Sequence, residues 1–217
     1  MGAIGWLHGK IVFSRRIRRL SELLAAIIPP HASVLDIGAG DGTLDALILQ
    51  KRPDLNISGL DILIRPRTAI PVTRFDGLTI PFESKSFDVA MFVDVIHHAA
   101  EPVRLLKEAA RVAKCVVIKD HLKEGLLADA TLRAMDYIGN ARHGVSLPYG
   151  YWTRSQWNTA FEEMGVTAAE WNERLGLYQF PLTFFFDRGL HFVAKLEPLQ
   201  TSSRPDVNGS LPVSHRT

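Results

Sequence analysis

Two aspartates, Asp36 and Asp41, bracket three alternating positions held by Gly38, Gly40 and Gly42. A third carboxylate, Asp61, comes 19 residues after Gly42, and a fourth, Asp76, stands beside Gly77. Glycine leaves no Cβ between backbone and ligand and permits unusual φ/ψ values. A pyrophosphate would want G-x-G-x-x-G spacing and free amides at a helix N-terminus. Here the spacing is G-x-G-x-G, and the flanking carboxylates suit a cation better than a diphosphate. Asp61, at the end of an apolar stretch, suits a bidentate contact in which two carboxylate oxygens meet two vicinal ribose hydroxyls. Histidines supply the remaining chemistry. His97 and His98 are adjacent, and Asp120-His121 closes another apolar run. An imidazole titrates near neutrality, which makes His98 a candidate general base and His121 a second, with a plain helix-start role as the other reading of His121. No metal is expected: adjacent helical residues point about 100° apart, and no nearby third ligand has metal-site spacing.

These residues need elements to hold them. Val34-Leu35-Asp36-Ile37 reads as a short buried strand, and Leu44, Leu47 and Ile48 return at helical spacing from about Thr43. Asn56–Asp61 and Val72–Phe75 read as the next two strands, Phe87–Ile96 as a fourth strand with its exit, and Val116–Lys119 as a fifth. Upstream, residues 1–13 show no period. Ser14 is a plausible N-cap for a helix faced by Ile17, Leu20, Leu24, Ile27 and Ile28 and stopped at Pro29-Pro30. Arg15, Arg16, Arg18 and Arg19 crowd its first turns and read as a solvated face, with an anion contact as the other reading. Leu127 to Ile138 suggests a helix that breaks at Gly139-Asn140. Thr153 and Gln156 form a capping-box pattern before a helix that buries Trp157, Phe161 and Met164 and ends at Gly165. Two strand-like runs, around Val166–Leu175 and Leu190–Leu196, close the fold. Tyr178, Phe180 and Phe184 to Phe186 lie between them, as an acceptor wall or a partner surface.

Val34 to Gly42 meets every constrained position of hh-D-h-G-x-G-x-G, and the chain here resembles the class I S-adenosylmethionine-dependent methyltransferases. Asp76 to Asp88 resembles a further family stretch, with Ile80-Pro81-Phe82 and Phe87-Asp88 in place and Ile80 for the usual leucine. The histidine pair after the fourth strand resembles the type-11 (UbiE-like) branch. Motif-level likeness covers roughly residues 30 to 120, and the order of elements carries it further. It implies a Rossmann-like α/β fold: a seven-stranded, mostly parallel sheet with helices on both faces and a C-terminal antiparallel strand. The implied cofactor is S-adenosyl-L-methionine. By resemblance Asp36, Gly38, Ala39, Gly40, Asp41 and Gly42 hold it, Asp61 takes the ribose, and Ile62 packs on the adenine. Asp76 accepts from the adenine amino group, Gly77 leaves room for the ring, and Val93 and Asp94 stand near the sulfur end. His97 would face the acceptor, as would Arg142, His143, Tyr149 and Tyr151 from the segment where specificity should be written. Arg111-Val112-Ala113-Lys114-Cys115 departs from the family's lysine-proline-glycine-glycine-like turn.

Composition frames these readings. The chain has 217 residues, 47% hydrophobic and 22% charged, with net charge +2. That balance suits one globular domain, expected over 1–197, with an N-terminal helical segment at 1–30, acceptor-side helices and loop at 122–165, and a disordered tail at 198–217. No basic stripe or asparagine/aspartate-proline-proline-aromatic motif points to nucleic acid, and no run is long enough for stable membrane insertion. The single cysteine, Cys115, reads as a buried inert thiol and fits a cytoplasmic setting. The expected function is methyl transfer to an oxygen, nitrogen or carbon of a small, partly apolar molecule. The alternatives are a cofactor-binding or regulatory module without turnover, and a nicotinamide-dependent oxidoreductase, against which the loop spacing and its acids count.

Overall fold

The computed structural model describes residues 3–140 and 148–199. Its strands are β1 (Ser33–Ile37), β2 (Asn56–Asp61), β3 (Val72–Arg74), β4 (Phe87–Val93), β5 (Ala113–His121), β6 (Val166–Asn172) and β7 (His191–Pro198). They form one seven-stranded sheet in the order β3-β2-β1-β4-β5-β7-β6. Neighbours from β3 to β5 are parallel, and β7 runs antiparallel to both β5 and β6. This is the expected Rossmann-like sheet with its antiparallel last strand. The strand order reverses between β1 and β4. In open α/β sheets ligands bind beyond the carboxyl ends of the strands at such a reversal.

Strand alternation sends successive side chains to opposite faces. Leu35, Ile37, Ala90 and Phe92 pack on one face with Leu105, Leu106 and Ala109 of α3 (Pro102–Val112) and Trp157 and Phe161 of α5 (Arg154–Met164). Val34, Val89 and Met91 pack on the other with Leu20 and Leu24 of α1 (Ala3–Ile27) and Ile48 of α2 (Thr43–Lys51). The capping box forms as expected: Thr153 accepts from the Gln156 amide while the Gln156 side chain accepts from the Thr153 amide. The remaining helices, α4 (Ala128–Asn140) and α6 (Leu182–Phe186), follow β5 and β6 at the carboxyl edge.

Several boundaries differ from the sequence reading. α1 begins at Ala3, so Ser14 lies inside the helix and does not cap it. Gly5 and Gly9 each cost about 1 kcal/mol in a helix and obscured the period, but no proline interrupts the run. α3 passes directly into β5 at Ala113, with no intervening turn. β7 reaches Pro198, and the Leu199 amide bonds the Gly165 carbonyl at 3.0 Å. The expected tail from 200 onward lies outside the described residues. Cys115 is half-buried, its Sγ 3.5 Å from the Asp88 carbonyl, and burial raises its pKa. Among the described residues no helix is long and apolar enough to cross a membrane.

Candidate active site

β1 delivers the chain into a turn where Gly38, Gly40 and Gly42 have φ of 85°, 61° and 71°. Two of these glycines are required by packing. A Cβ on Gly38 would lie 2.4 Å from Val95 Cγ2, and one on Gly42 2.6 Å from Ile70 Cγ1. Gly40 is different: a Cβ there would meet nothing within 4 Å. Its open side is where a ligand can approach the backbone. Asp61 anchors the turn to the end of β2. Its Oδ2 accepts from the Gly40 amide and its Oδ1 from the Leu63 amide, both at 2.8 Å. Each carboxylate oxygen has further lone-pair capacity, so a fixed carboxylate still offers two acceptors. Asp41 accepts from the Thr43 amide at 3.0 Å and serves the start of α2. Asp76 accepts from the Leu78 and Thr79 amides at 2.8 and 2.7 Å, and these bonds lower its pKa. Exposed Ile62 stands opposite Gly77, with its Cγ2 3.2 Å from where a Gly77 Cβ would be.

Below the turn, Asp36 and Asp45 are both buried. Asp36 Oδ1 and both Asp45 carboxyl oxygens have no hydrogen-bond partner among the described residues. Burial, and then Asp45, pushes Asp36 well above the usual carboxylate range; burial raises Asp45 to about 7, against a lowering contact from Asp36. Asp94 follows half-buried Val93 at the end of β4, with φ 58°. Its carboxylate takes hydrogen bonds from Arg16 of α1 and Lys119 of β5. Burial alone would raise Asp94, but Lys119 and Arg16 hold it well below its ordinary value. Arg16 is thus no solvated-face residue, unlike exposed Arg15 and Arg18. His191 of β7 places Nδ1 3.5 Å from Lys119 Nζ.

The histidines meet at the ends of β4 and β5. Asp120, fully buried, accepts from the Ile96 amide at 2.9 Å through Oδ2. Its Oδ1 lies 2.6 Å from His97 Nδ1 and 3.2 Å from His121 Nδ1. His98 Nε2 lies 3.5 Å from Asp136 Oδ1 of α4, and Asp136 Oδ2 accepts from the Tyr151 hydroxyl at 2.9 Å. The short 3-10 turn Ile96–His98 brings the two imidazoles to 4.0 Å between centroids. The expected divergence of neighbouring side chains therefore does not occur, and Asp136 supplies the third group that linear spacing did not reveal.

Protonation separates the three rings. Burial works against charge on His97, but Asp120 outweighs it and raises its pKa. His98 is lowered by burial and by His97. His121 falls to about 4, mainly through burial, then His97 and Lys119. His121 is thus neutral at pH 7 but buried, with its ring edge-on to His97 and Tyr151. His98 is the more accessible of the two expected bases, although its Nδ1 is buried and has no partner among the described residues. Tyr151 is buried and Tyr149 half-buried under Arg133 at 4.8 Å. Arg142 and His143 lie outside the described residues. Sequence reasoning gave no site role to Lys119, Asp136 or His191; it put Asp120 with His121 at the acceptor side and read Arg16 chiefly as solvated, with an anion contact as the alternative. The available signal was Lys119-Asp120-His121, three polar residues ending an apolar central strand.

A methyltransferase-domain family model matches residues 9–170, and the chain belongs to that family. Solved structures agree in fold. A chain from the Haloferax volcanii complex between the Trm112 methyltransferase activator and a methyltransferase is 15% identical, with TM-score 0.65, covering 89% of this chain and 95% of that one. An S-adenosylmethionine-dependent methyltransferase from Mesorhizobium loti is 16% identical, with TM-score 0.59, covering 81% and 95%. The [4+2]-cyclase SpnF is 15% identical, with TM-score 0.58, covering 83% and 81%.

Proposed function

We propose that the protein is an S-adenosylmethionine-dependent methyltransferase acting on an oxygen, nitrogen or carbon of a small, partly apolar acceptor. The observation that carries this is Asp61, fixed by the Gly40 and Leu63 amides beside the open side of Gly40. That is a prepared site for a vicinal diol next to a bare backbone. Buried Asp36 and Asp45 below the turn supply no positive charge that a diphosphate would need. Gly38, Gly40 and Gly42 would hold the cofactor's amino-acid end, with Ala39 and Asp41 shaping the turn between them. Asp61 would hold the ribose, and Ile62, Asp76 and Gly77 the adenine. Val93 and Asp94, at the end of β4, would border the sulfur end.

When bound, the cofactor supplies an activated methyl for in-line attack by the acceptor. The chain's own part is alignment and, where the acceptor carries a proton, its removal. His98, the more accessible of the two candidate histidines, is the one we assign to that removal; buried His121 would support the cluster instead. Exposed apolar side chains, Leu127 just before α4, Ile138 of α4, and Phe184 and Phe185 of α6, favour a partly apolar acceptor.

Calorimetric titration with S-adenosylhomocysteine, with NADH as control ligand, tests the cofactor. Micromolar binding is expected for the wild type. Asp61→Ala should weaken it at least about tenfold, the loss of charge-assisted hydrogen bonds worth ~1.5–3 kcal/mol each. NADH binding alone would overturn the reading. The SpnF likeness shows that this fold carries other chemistry too. An acceptor screen read by S-adenosylhomocysteine release separates an enzyme from a binding module.

A further inference from the structure

His97, His98 and Asp136 each offer one ligand atom, and the three atoms lie within 4.8 Å of one another; His97, Asp120 and His121 do the same. Hydrogen bonding divides the work between these residues. His97 Nδ1 and Asp120 Oδ1 are 2.6 Å apart. Two ligands on one ion, each at about 2.0–2.2 Å, sit roughly 3 Å or more from each other. The 2.6 Å pair is therefore a hydrogen bond, and in the neutral ring it leaves His97 Nε2 as the nitrogen with a lone pair. Metal-bound histidines characteristically donate their other N–H to a carboxylate in this way. The 3.5 Å between His98 Nε2 and Asp136 Oδ1 is long for a hydrogen bond and close to the edge of a coordination polyhedron. Asp136 Oδ2 is in turn steadied by the Tyr151 hydroxyl at 2.9 Å, and Asp120 Oδ2 by the Ile96 amide at 2.9 Å. Buried Lys119 is committed to Asp94.

We infer that His97, His98 and Asp136 form a site for a divalent first-row transition metal, oriented by Asp120 and Tyr151. Two imidazoles and one carboxylate suit Zn2+, Fe2+, Co2+ or Ni2+ and leave coordination positions open. Binding of the ion stands on this geometry alone; its use rests on the acceptor-side reading above. An acceptor hydroxyl on the ion would lose its proton more readily. His98 would then act as a ligand, and the ion would replace it in activating the acceptor.

The test uses tag-free full-length protein, stripped with chelator and titrated with Co2+ at pH 7.5, followed by visible absorption and calorimetry. One equivalent of Co2+ should bind with ligand-field bands, and Zn2+ should displace it. His98→Ala and Asp136→Asn should each weaken binding at least tenfold. Asp120→Asn, which keeps all three ligands, should weaken it by about 10–100-fold. S-adenosylhomocysteine affinity in the same variants reports whether the fold survives. Absent Co2+ binding, or equal binding by the wild type and a folded His98→Ala variant, overturns the site and identifies a hydrogen-bonded histidine network only. Normal Co2+ binding without S-adenosylhomocysteine binding keeps the metal site and defeats the cofactor reading.

Discussion

Asp36 and Asp45 are carboxyls that the fold buries without giving all their oxygens a partner. In an unfolded chain an aspartate titrates near 3.9, whereas Asp45 here titrates at about 7. Between those values the folded protein holds a proton that the unfolded chain has released. Stability must therefore fall as pH rises from about 4 to about 7 and level off above that. Asp45→Asn keeps the shape and removes the ionisation. At pH 8 it should stabilise by roughly 2 kcal/mol, or about 4–8 °C in Tm, with little change at pH 5. Thermal melts across that range check it; an equal shift at every pH would reject the buried-acid account. Both aspartates are visible in the sequence, but only Asp36 falls in a motif. Asp45 looks like a favourable acid in the first turn of α2, and its burial is set by how α2 lies against β1. The position of Asp61 was legible because it depends on a strand end and a local turn. Asp136 was not, since its place beside His98 depends on the path from β5 through α4.

Among the elements, the turn after β1 separates two kinds of glycine requirement. A Cβ on Gly38 would strike Val95 at 2.4 Å, next to the segment that carries Asp94 and the histidine pair. Gly38→Ala should cost about 1–3 kcal/mol through overpacking and a left-handed backbone, and should weaken S-adenosylhomocysteine binding as Val95 shifts. Gly40→Ala carries the backbone penalty, about 1–2 kcal/mol, but meets no neighbour. Its main effect should be lost ligand affinity with the fold retained. Urea unfolding and calorimetry on both variants resolve the contrast. Comparable affinity losses without a difference in stability would mean that Val95 yields easily. The repeating spacing of three glycines was enough to locate this turn, because φ above zero favours glycine. The start of α1 was not readable in the same way. Its early glycines resemble breakers, and tertiary packing outweighs that local preference.

Across the whole molecule, Asp94 joins parts distant in sequence: Arg16 on α1, its own place after β4, and Lys119 on β5. α1 also packs on the sheet through Leu20 and Leu24, so the ion cluster and the apolar face act together. Lys119 is fully buried, and Arg16 and Asp94 are mostly so, with 22% and 20% of their side-chain surface exposed. Such a cluster is weak evidence of net stabilisation, yet removing one partner strands the others at about 3–5 kcal/mol. Asp94→Asn leaves both cations uncompensated. It should lower Tm by at least about 6 °C, given roughly 2–4 °C per kcal/mol at this size. Arg16→Leu should cost less, because it keeps the Lys119–Asp94 pair and adds apolar surface beside α1. A larger loss for Arg16→Leu than for Asp94→Asn, measured by thermal unfolding, would show that the α1 contact dominates the buried charge. The expected order instead makes Asp94 the common counter-ion of the cluster, tying the N-terminal helix to the strand ends that bear the candidate site.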